Sequence, residues 1–131
     1  MTAFDSCGRS GGLVCIWNPT LCDFASFLSS FGILLVGWIK EFEEVRIHNI
    51  YGPYKDREPF WQNIIDKDLI EGNNTIVGGD LNFTTSCSEV WGSNRWDPLT
   101  DFFKDLMRRN GVFDVCPMPL SPTWRNSRVE G

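Results

Sequence analysis

The chain holds a single histidine, His48, and its five cysteines, Cys7, Cys15, Cys22, Cys87 and Cys116, include no C-x-x-C pair. That argues against a zinc site, which needs repeated Cys or His spacing. An odd number of scattered cysteines fits reduced, mostly buried thiols better than a disulfide framework. An excess of positive charge is also lacking: 12 Lys+Arg stand against 17 Asp+Glu, a net charge of -5. A histone-like or tail-type nucleic-acid binder would show a basic stripe, so that class is disfavoured. A metal-dependent nuclease is not, because its active site is itself acidic. The start, from Met1 to Gly12, has no basic segment followed by an apolar run, and no signal peptide is expected. The longest apolar stretch, Phe31 to Ile39, contains Gly32 and Gly37 and is far short of the roughly 20 residues that span a bilayer. No membrane partner is expected, and the expected location is intracellular, nuclear or cytoplasmic.

What is present is core-forming material. With 131 residues, 42% of them hydrophobic, six Trp and ten Phe, the composition is that of a globular chain rather than a disordered one. Leu13–Trp17 is a continuous apolar run between Gly11-Gly12 and Asn18-Pro19, and reads as a buried strand. Gly32–Ile39 is a second such run, with a turn at Lys40-Glu41. Glu44–Tyr51 alternates: Val45 and Ile47 point one way, Arg46 and His48 the other, as in a half-exposed strand, and Gly52-Pro53 ends it. A helix is predicted over Arg57–Glu71, with Asp56 as cap, Pro59 in its first turn, and Phe60, Trp61, Ile64, Ile65 and Leu69 along one face. Gly72 suits its C-terminal end. Thr75-Ile76-Val77 reads as a short buried strand. A second helix is predicted with Asp97 as N-cap, Pro98 at the first position, and Leu99, Phe102, Phe103, Leu106 and Met107 on one stripe. Arg108 and Arg109 complement its dipole, Asn110-Gly111 stop it, and a short Val112–Cys116 segment follows. Strands in runs with interspersed helices predict a layered α/β sandwich. No internal repeat divides residues 1–131, which are read as a single domain.

The sharpest chemical signal is Gly78-Gly79-Asp80-Leu81-Asn82. An apolar strand delivers a carboxylate and an amide to the lip of a sheet, and side chains two apart share a face of an extended chain. Asp80 can hold a divalent cation or orient a water, and Asn82 can hydrogen-bond a phosphate oxygen. The plainer alternative is a strand exit in which Asp80 makes an Asx-turn. A second segment bears on the choice. His48-Asn49-Ile50-Tyr51-Gly52-Pro53 ends another strand with a tyrosine and a turn, before the Phe60-Trp61 helix and the Asp80 strand.

This order resembles the endonuclease/exonuclease/phosphatase family, most closely the apurinic-type endonuclease domains of plant LINE (non-LTR) retroelements. Gly8-Arg9-Ser10-Gly11-Gly12-Leu13 is similar to the family's glycine-rich lead into a core strand, and Asn49-Ile50-Tyr51-Gly52-Pro53 to its N-x-Y-G-P turn. Thr75 to Asn82 is similar to its G-G-D-x-N strand, with Glu89-x-x-Gly92 following, and Pro122-Thr123-Trp124 to its T-W segment. The resemblance implies a four-layered α/β sandwich and magnesium-dependent phosphodiester cleavage of DNA. It gives Asp80 the task of orienting or deprotonating the attacking water beside the metal, and Asn82 that of fixing the water or scissile phosphate. The Tyr51 hydroxyl would contact the phosphate, since catalysis of this kind is mostly electrostatic. The family's first strands bring an Asn and a metal-binding Glu, for which nothing stands before Met1-Thr2-Ala3. Its final Asp and Ser-Asp-His would lie beyond Gly131. The resemblance thus implies an incomplete domain, truncated at both ends, with little or no activity alone, because members of a catalytic unit act together. Two alternatives stand beside it: a non-catalytic fragment that binds nucleic acid or protein, with exposed sheet edges that invite self-association, and a phosphatase relative of the same superfamily.

Other residues have plainer readings. His48 is expected to face solvent on the outer side of its strand. Glu41, Glu43 and Glu44 read as a solvated turn and Glu89 as a loop carboxylate. Trp91, Arg95 and Trp96 offer stacking surfaces for a base, or a loop packed over the sheet. Trp17, Trp38 and Trp61 are expected in the core.

Overall fold

Parallel strands cannot be joined by a tight turn; they need a crossover, and the segment between Tyr51 and Thr75 carries a helix of the right length to make one. In the computed structural model, which describes residues 1–5, 11–41, 43–72, 74–90, 96–116 and 118–119, that crossover joins the two strands that end in Tyr51 and Asp80. Contacts divide the chain into two compact units, Met1–Asn82 and Phe83–Gly131.

The first unit holds β1 (Thr2–Phe4), β2 (Leu13–Cys15), β3 (Cys22–Ser29), β4 (Gly32–Ile39), β5 (Glu44–Tyr51), α1 (Arg57–Asp66) and β6 (Thr75–Asp80). β1 and β2 form an antiparallel ribbon. The other four strands form one sheet in the order β3-β4-β5-β6, antiparallel except for the parallel pair β5 and β6. Local chemistry sets the turns. The Asn18 carboxamide oxygen accepts from the Thr20 N–H (2.9 Å) and hydroxyl (2.8 Å), and its carbonyl accepts from Leu21 and Cys22, which starts β3. Side chains alternate across the strands, so the sheet has two distinct coverings. On one face Leu13 of β2 packs with Ile33 and Leu35, joined by Cys15, Trp17, Phe24, Ile47 and Tyr51. On the other, His48 and Ile50 are buried, and Trp61 and Ile64 of α1 and Ile70 after it supply the apolar cover.

Several expectations change. β2 stops at Cys15, and Val14 and Ile16 are exposed, because a two-stranded ribbon laid on a sheet has one wet side. β3 was not foreseen. As an edge strand it leaves Ala25 to Leu28 exposed, so no clean alternation marks it. β6 is the other edge, and Ile76 is exposed rather than buried. α1 ends at Asp66 instead of Glu71; the chain turns at Asp68, which takes a left-handed backbone (φ 53), and Asp56 makes no side-chain cap. Trp61 is buried and Trp17 half-buried, but Trp38 is exposed.

In the second unit α2 (Thr100–Arg109) buries Thr100, Phe103 and Leu106. It begins two residues later than Pro98: the Asp97 carboxylate accepts from the Leu99 N–H (2.9 Å) and its carbonyl from Thr100, forming a turn ahead of the helix. Asn110-Gly111 end it as expected, with Gly111 at φ 63. Arg108 and Arg109 both pair with Asp105. Phe83 stacks on Phe103 (3.9 Å between ring centroids). Val112–Cys116 forms no strand, and Phe113 and Val115 are exposed. Cys15, Cys22 and Cys87 are half-buried free thiols and Cys116 is an exposed one; Cys7 lies outside the described residues. The architecture of the described residues is an α/β fold with one mixed four-stranded sheet and two helices. No helix of the described residues is long and apolar enough to cross a membrane.

Candidate phosphodiester site

Tyr51 and Asp80 are the last residues of two adjacent parallel strands, and they are direct register partners. Register partners in a sheet share a face, so both side chains stand at the C-terminal edge of the parallel pair, on the β2 side, one step beyond the partners Asn49 and Gly78. The carboxyl ends of parallel strands are where open α/β sheets place ligands. Asp80 is exposed and Tyr51 half-buried against the Leu13–Ile33–Leu35 cluster, which leaves the phenol anchored at its ring. The Asn49 carboxamide donates to the Val14 carbonyl and the Cys15 sulfur (both 3.4 Å), tying β5 to the ribbon beneath.

The edge is held by backbone. The Gly52 N–H donates to the Asp80 carbonyl (2.7 Å), extending the ladder by one rung. Gly52 is buried so close to Leu81 that a Cβ there would strike the Leu81 carbonyl. Gly79 has φ 116, and a side chain there would meet the Ile50 carbonyl. Two glycines therefore let the Tyr51-Gly52 and Gly79-Leu81 segments approach closely.

Asn82 reaches this edge by a different route from the expected one. The strand ends at Asp80, and Asn82 takes a left-handed backbone (φ 51), so the rule that residues two apart share a face no longer applies. Its N–H instead donates to an Asp80 carboxylate oxygen (3.2 Å), which is the Asx-turn of the plainer reading. Its carboxamide N–H donates to the Gly52 carbonyl, and its own carbonyl accepts from the Arg57 guanidinium (3.0 Å). An amide has two N–H donors and a carbonyl oxygen, so this tether commits one donor. Tyr51, Asp80 and Asn82 are thus linked through Gly52 into one short constellation. Arg57, at the start of α1, is a further residue of this corner that spacing did not single out.

The donor set limits what the corner can hold. Magnesium demands about six oxygen ligands in octahedral geometry, with carboxylates or substrate phosphates among them. Asp80 brings one carboxylate, already engaged by Asn82, and no group of three His, Cys, Asp or Glu converges among the described residues. These residues by themselves do not fit a resident magnesium ion. The only imidazole cannot serve here either. His48 is 1% exposed, and as a β5 residue three before Tyr51 it lies on the opposite face of the sheet. The expectation of a solvent-facing histidine is thereby corrected: β5 is an interior strand covered on both sides, by the ribbon and by the crossover. Burial lowers the His48 pKa from its ordinary value; the Leu69 carbonyl opposes this by accepting a hydrogen bond, and Arg46 adds to it.

Among the remaining candidates Glu43, Glu89 and Trp96 have structural partners. Glu41, Glu43 and Glu44 are exposed, and Glu43 accepts from Asn74 (3.3 Å). Glu89 accepts from both the N–H and the hydroxyl of Thr85 (3.0 Å each), closing a 3-10 turn at Cys87–Glu89. Trp96 is exposed, with the Lys104 ammonium 5.3 Å from its ring centre. Trp91, Arg95 and Gly92 lie outside the described residues, as do Gly8-Arg9-Ser10 and Pro122-Thr123-Trp124. No protein-family model and no curated protein matches the chain.

Proposed function

We propose that the chain is part of a DNA endonuclease domain of the endonuclease/exonuclease/phosphatase type, as found in LINE retroelements, and that by itself it does not cleave DNA. The observation that carries this reading is the pairing of Tyr51 with Asp80 at the carboxyl ends of two parallel strands, with Asn82 tethered to the same corner through Gly52. On this reading the β3–β6 sheet and the β1–β2 ribbon belong to the two facing sheets of a four-layered sandwich, and residues 1–131 to one domain. The Tyr51 hydroxyl donates to a phosphate oxygen, its ring fixed by the apolar cluster. The remaining Asn82 amide donor serves the same phosphate, and the Asp80 carboxylate accepts a proton from a water held against it. The family's reaction further requires magnesium and an acid–base imidazole. The chain has one histidine, and it is sealed on the wrong face of the sheet. A site of this kind acts as a unit, so the missing members remove nearly all of the rate.

The test is a nicking assay with purified chain, magnesium, supercoiled plasmid and an abasic duplex. No nicking above background is expected. Reproducible nicking abolished by Asp80→Ala would overturn the claim of incompleteness. Turnover of a phosphomonoester in the same assay, where none is expected, would favour the phosphatase reading over the nuclease one.

A further inference from the structure

We propose that the free edge of β3 pairs antiparallel with β3 of a second copy of this chain, about a twofold axis at Ser26. This inference is independent of the phosphodiester site. The Lys40 N–H donates to the Leu21 carbonyl (2.8 Å), so Leu21 and Lys40 form a hydrogen-bonded pair just beyond the Cys22–Ile39 partners. Bonded and non-bonded pairs alternate along an antiparallel ladder. Asp23, Ala25, Phe27 and Ser29 therefore direct their backbone groups at β4, and Cys22, Phe24, Ser26 and Leu28 direct theirs outward. The Cys22 N–H is already taken by the Asn18 carbonyl. Among the described residues, the open donors and acceptors of this edge are those of Phe24, Ser26 and Leu28, which are symmetric about Ser26.

That symmetry selects one register. A twofold axis normal to the sheet sets residues of the same face opposite one another, so Phe24 faces Leu28 of the copy, Ser26 faces Ser26, and Leu28 faces Phe24. All three open residues then exchange both of their bonds. Moving the axis to Phe24 or Ala25 calls on the occupied Cys22 N–H, and moving it to Phe27 or Leu28 runs past the end of the strand at Ser29. Charge agrees with the same register. Asp23 is the only charged residue of β3, and it falls opposite Ser29. The two Asp23 carboxylates are then six residues apart, about 20 Å along the strand, well beyond the roughly 8–10 Å over which salt screens charges. Edge strands that avoid pairing carry Lys, Pro or a bulge. β3 has none of these: its register with β4 is unbroken from Cys22 to Ser29, and Phe27 and Leu28 stand 55% and 57% exposed. The opposite edge, β6, is a poorer template, since Gly78 and Gly79 bring no side chains and Gly79 has a positive φ.

Sedimentation velocity on the full chain, from low micromolar to about 200 µM, reads the result. A monomer–dimer equilibrium is expected. Ser26→Pro removes an outward N–H and leaves the β3–β4 ladder intact, as prolines on edge strands do, so it should be monomeric with an unchanged far-ultraviolet spectrum. Ser26→Lys sets two ammonium groups across the axis and should weaken the dimer several-fold. Bonded antiparallel partners lie about 5.5 Å apart at Cα, within reach of a disulfide. Ser26→Cys should therefore crosslink to its counterpart under mild oxidation, which peptide mapping identifies even if the proline variant fails to fold. A wild-type chain that is strictly monomeric at 200 µM would overturn the proposal. So would a dimer indifferent to both Ser26→Lys and Ser26→Pro, or open-ended oligomers that Ser26→Lys does not disperse.

Discussion

Lowering the pH from about 7.5 to about 5.5 should destabilise the chain through one group, His48. The imidazole is 1% exposed, its Nδ1 has no hydrogen-bond partner, and burial depresses its pKa from the ordinary 6.5, with Arg46 adding to the effect against the Leu69 carbonyl. A histidine with a folded pKa below its unfolded value contributes stability that is fully present above the unfolded value. That stability is lost as pH falls towards the folded value, because the unfolded chain takes up the proton first. The window therefore opens near 6.5 and extends downward. Within it the loss approaches about 1.4 kcal/mol per pH unit for one proton, a large share of the roughly 5–15 kcal/mol that stabilises a domain. Urea denaturation across this pH range measures the effect in the wild type and in His48→Leu, which keeps an apolar side chain of comparable size in the site. At the upper end the variant should lie within about 1–2 kcal/mol of the wild type, having lost the bond to Leu69 and the unpaired Nδ1 together. Towards pH 5.5 the wild type should fall relative to the variant. Parallel stability curves for the two proteins would show that His48 accepts a proton at no cost, and would refute its enclosure between β5 and the crossover.

Three further substitutions probe the packing. Gly52→Ala drives a methyl into the Leu81 carbonyl; it should cost about 1–3 kcal/mol and shift the amide resonances of Leu81 and Asn82. Ile64→Ala opens a void under α1 at a fully buried side chain, and chemical denaturation should register a loss of about 2–5 kcal/mol. Asp97→Ala removes the acceptor of the Leu99 N–H and should lower stability by about 1 kcal/mol, seen as a small drop in melting temperature with helix content preserved.

Where turn chemistry and periodicity coincide, the fold was legible. β4 and β5 begin and end where the apolar run, the Lys40-Glu41 turn and the Gly52-Pro53 stop place them. β3 was not legible, since an edge strand wet along most of its length carries neither a continuous apolar run nor a clean alternation. His48 was misread for the complementary reason. Alternation in β5 implies one wet face, but the ribbon covers one face of this interior strand and the crossover the other, so polar residues such as His48 are enclosed with it. The site shows the same division. That Asp80 stands at the lip of a sheet follows from Thr75 to Gly79. That it stands beside Tyr51 follows from the β5–β6 register, which no local spacing encodes. The rule for extended chains sets Asn82 on the same face as Asp80, whereas a left-handed turn brings it to that corner.

The most direct test of the central claim is a two-dimensional amide NMR titration of the chain with a short duplex bearing an abasic-site analogue, alongside Tyr51→Phe. If Tyr51, Asp80 and Asn82 form a phosphodiester site, shifts should concentrate at Tyr51, Gly52 and Asp80 to Asn82, and Tyr51→Phe should weaken binding several-fold. If those amides stay in place while DNA perturbs another surface, or if Tyr51→Phe binds as tightly as the wild type, the corner is a structural turn and the account is wrong.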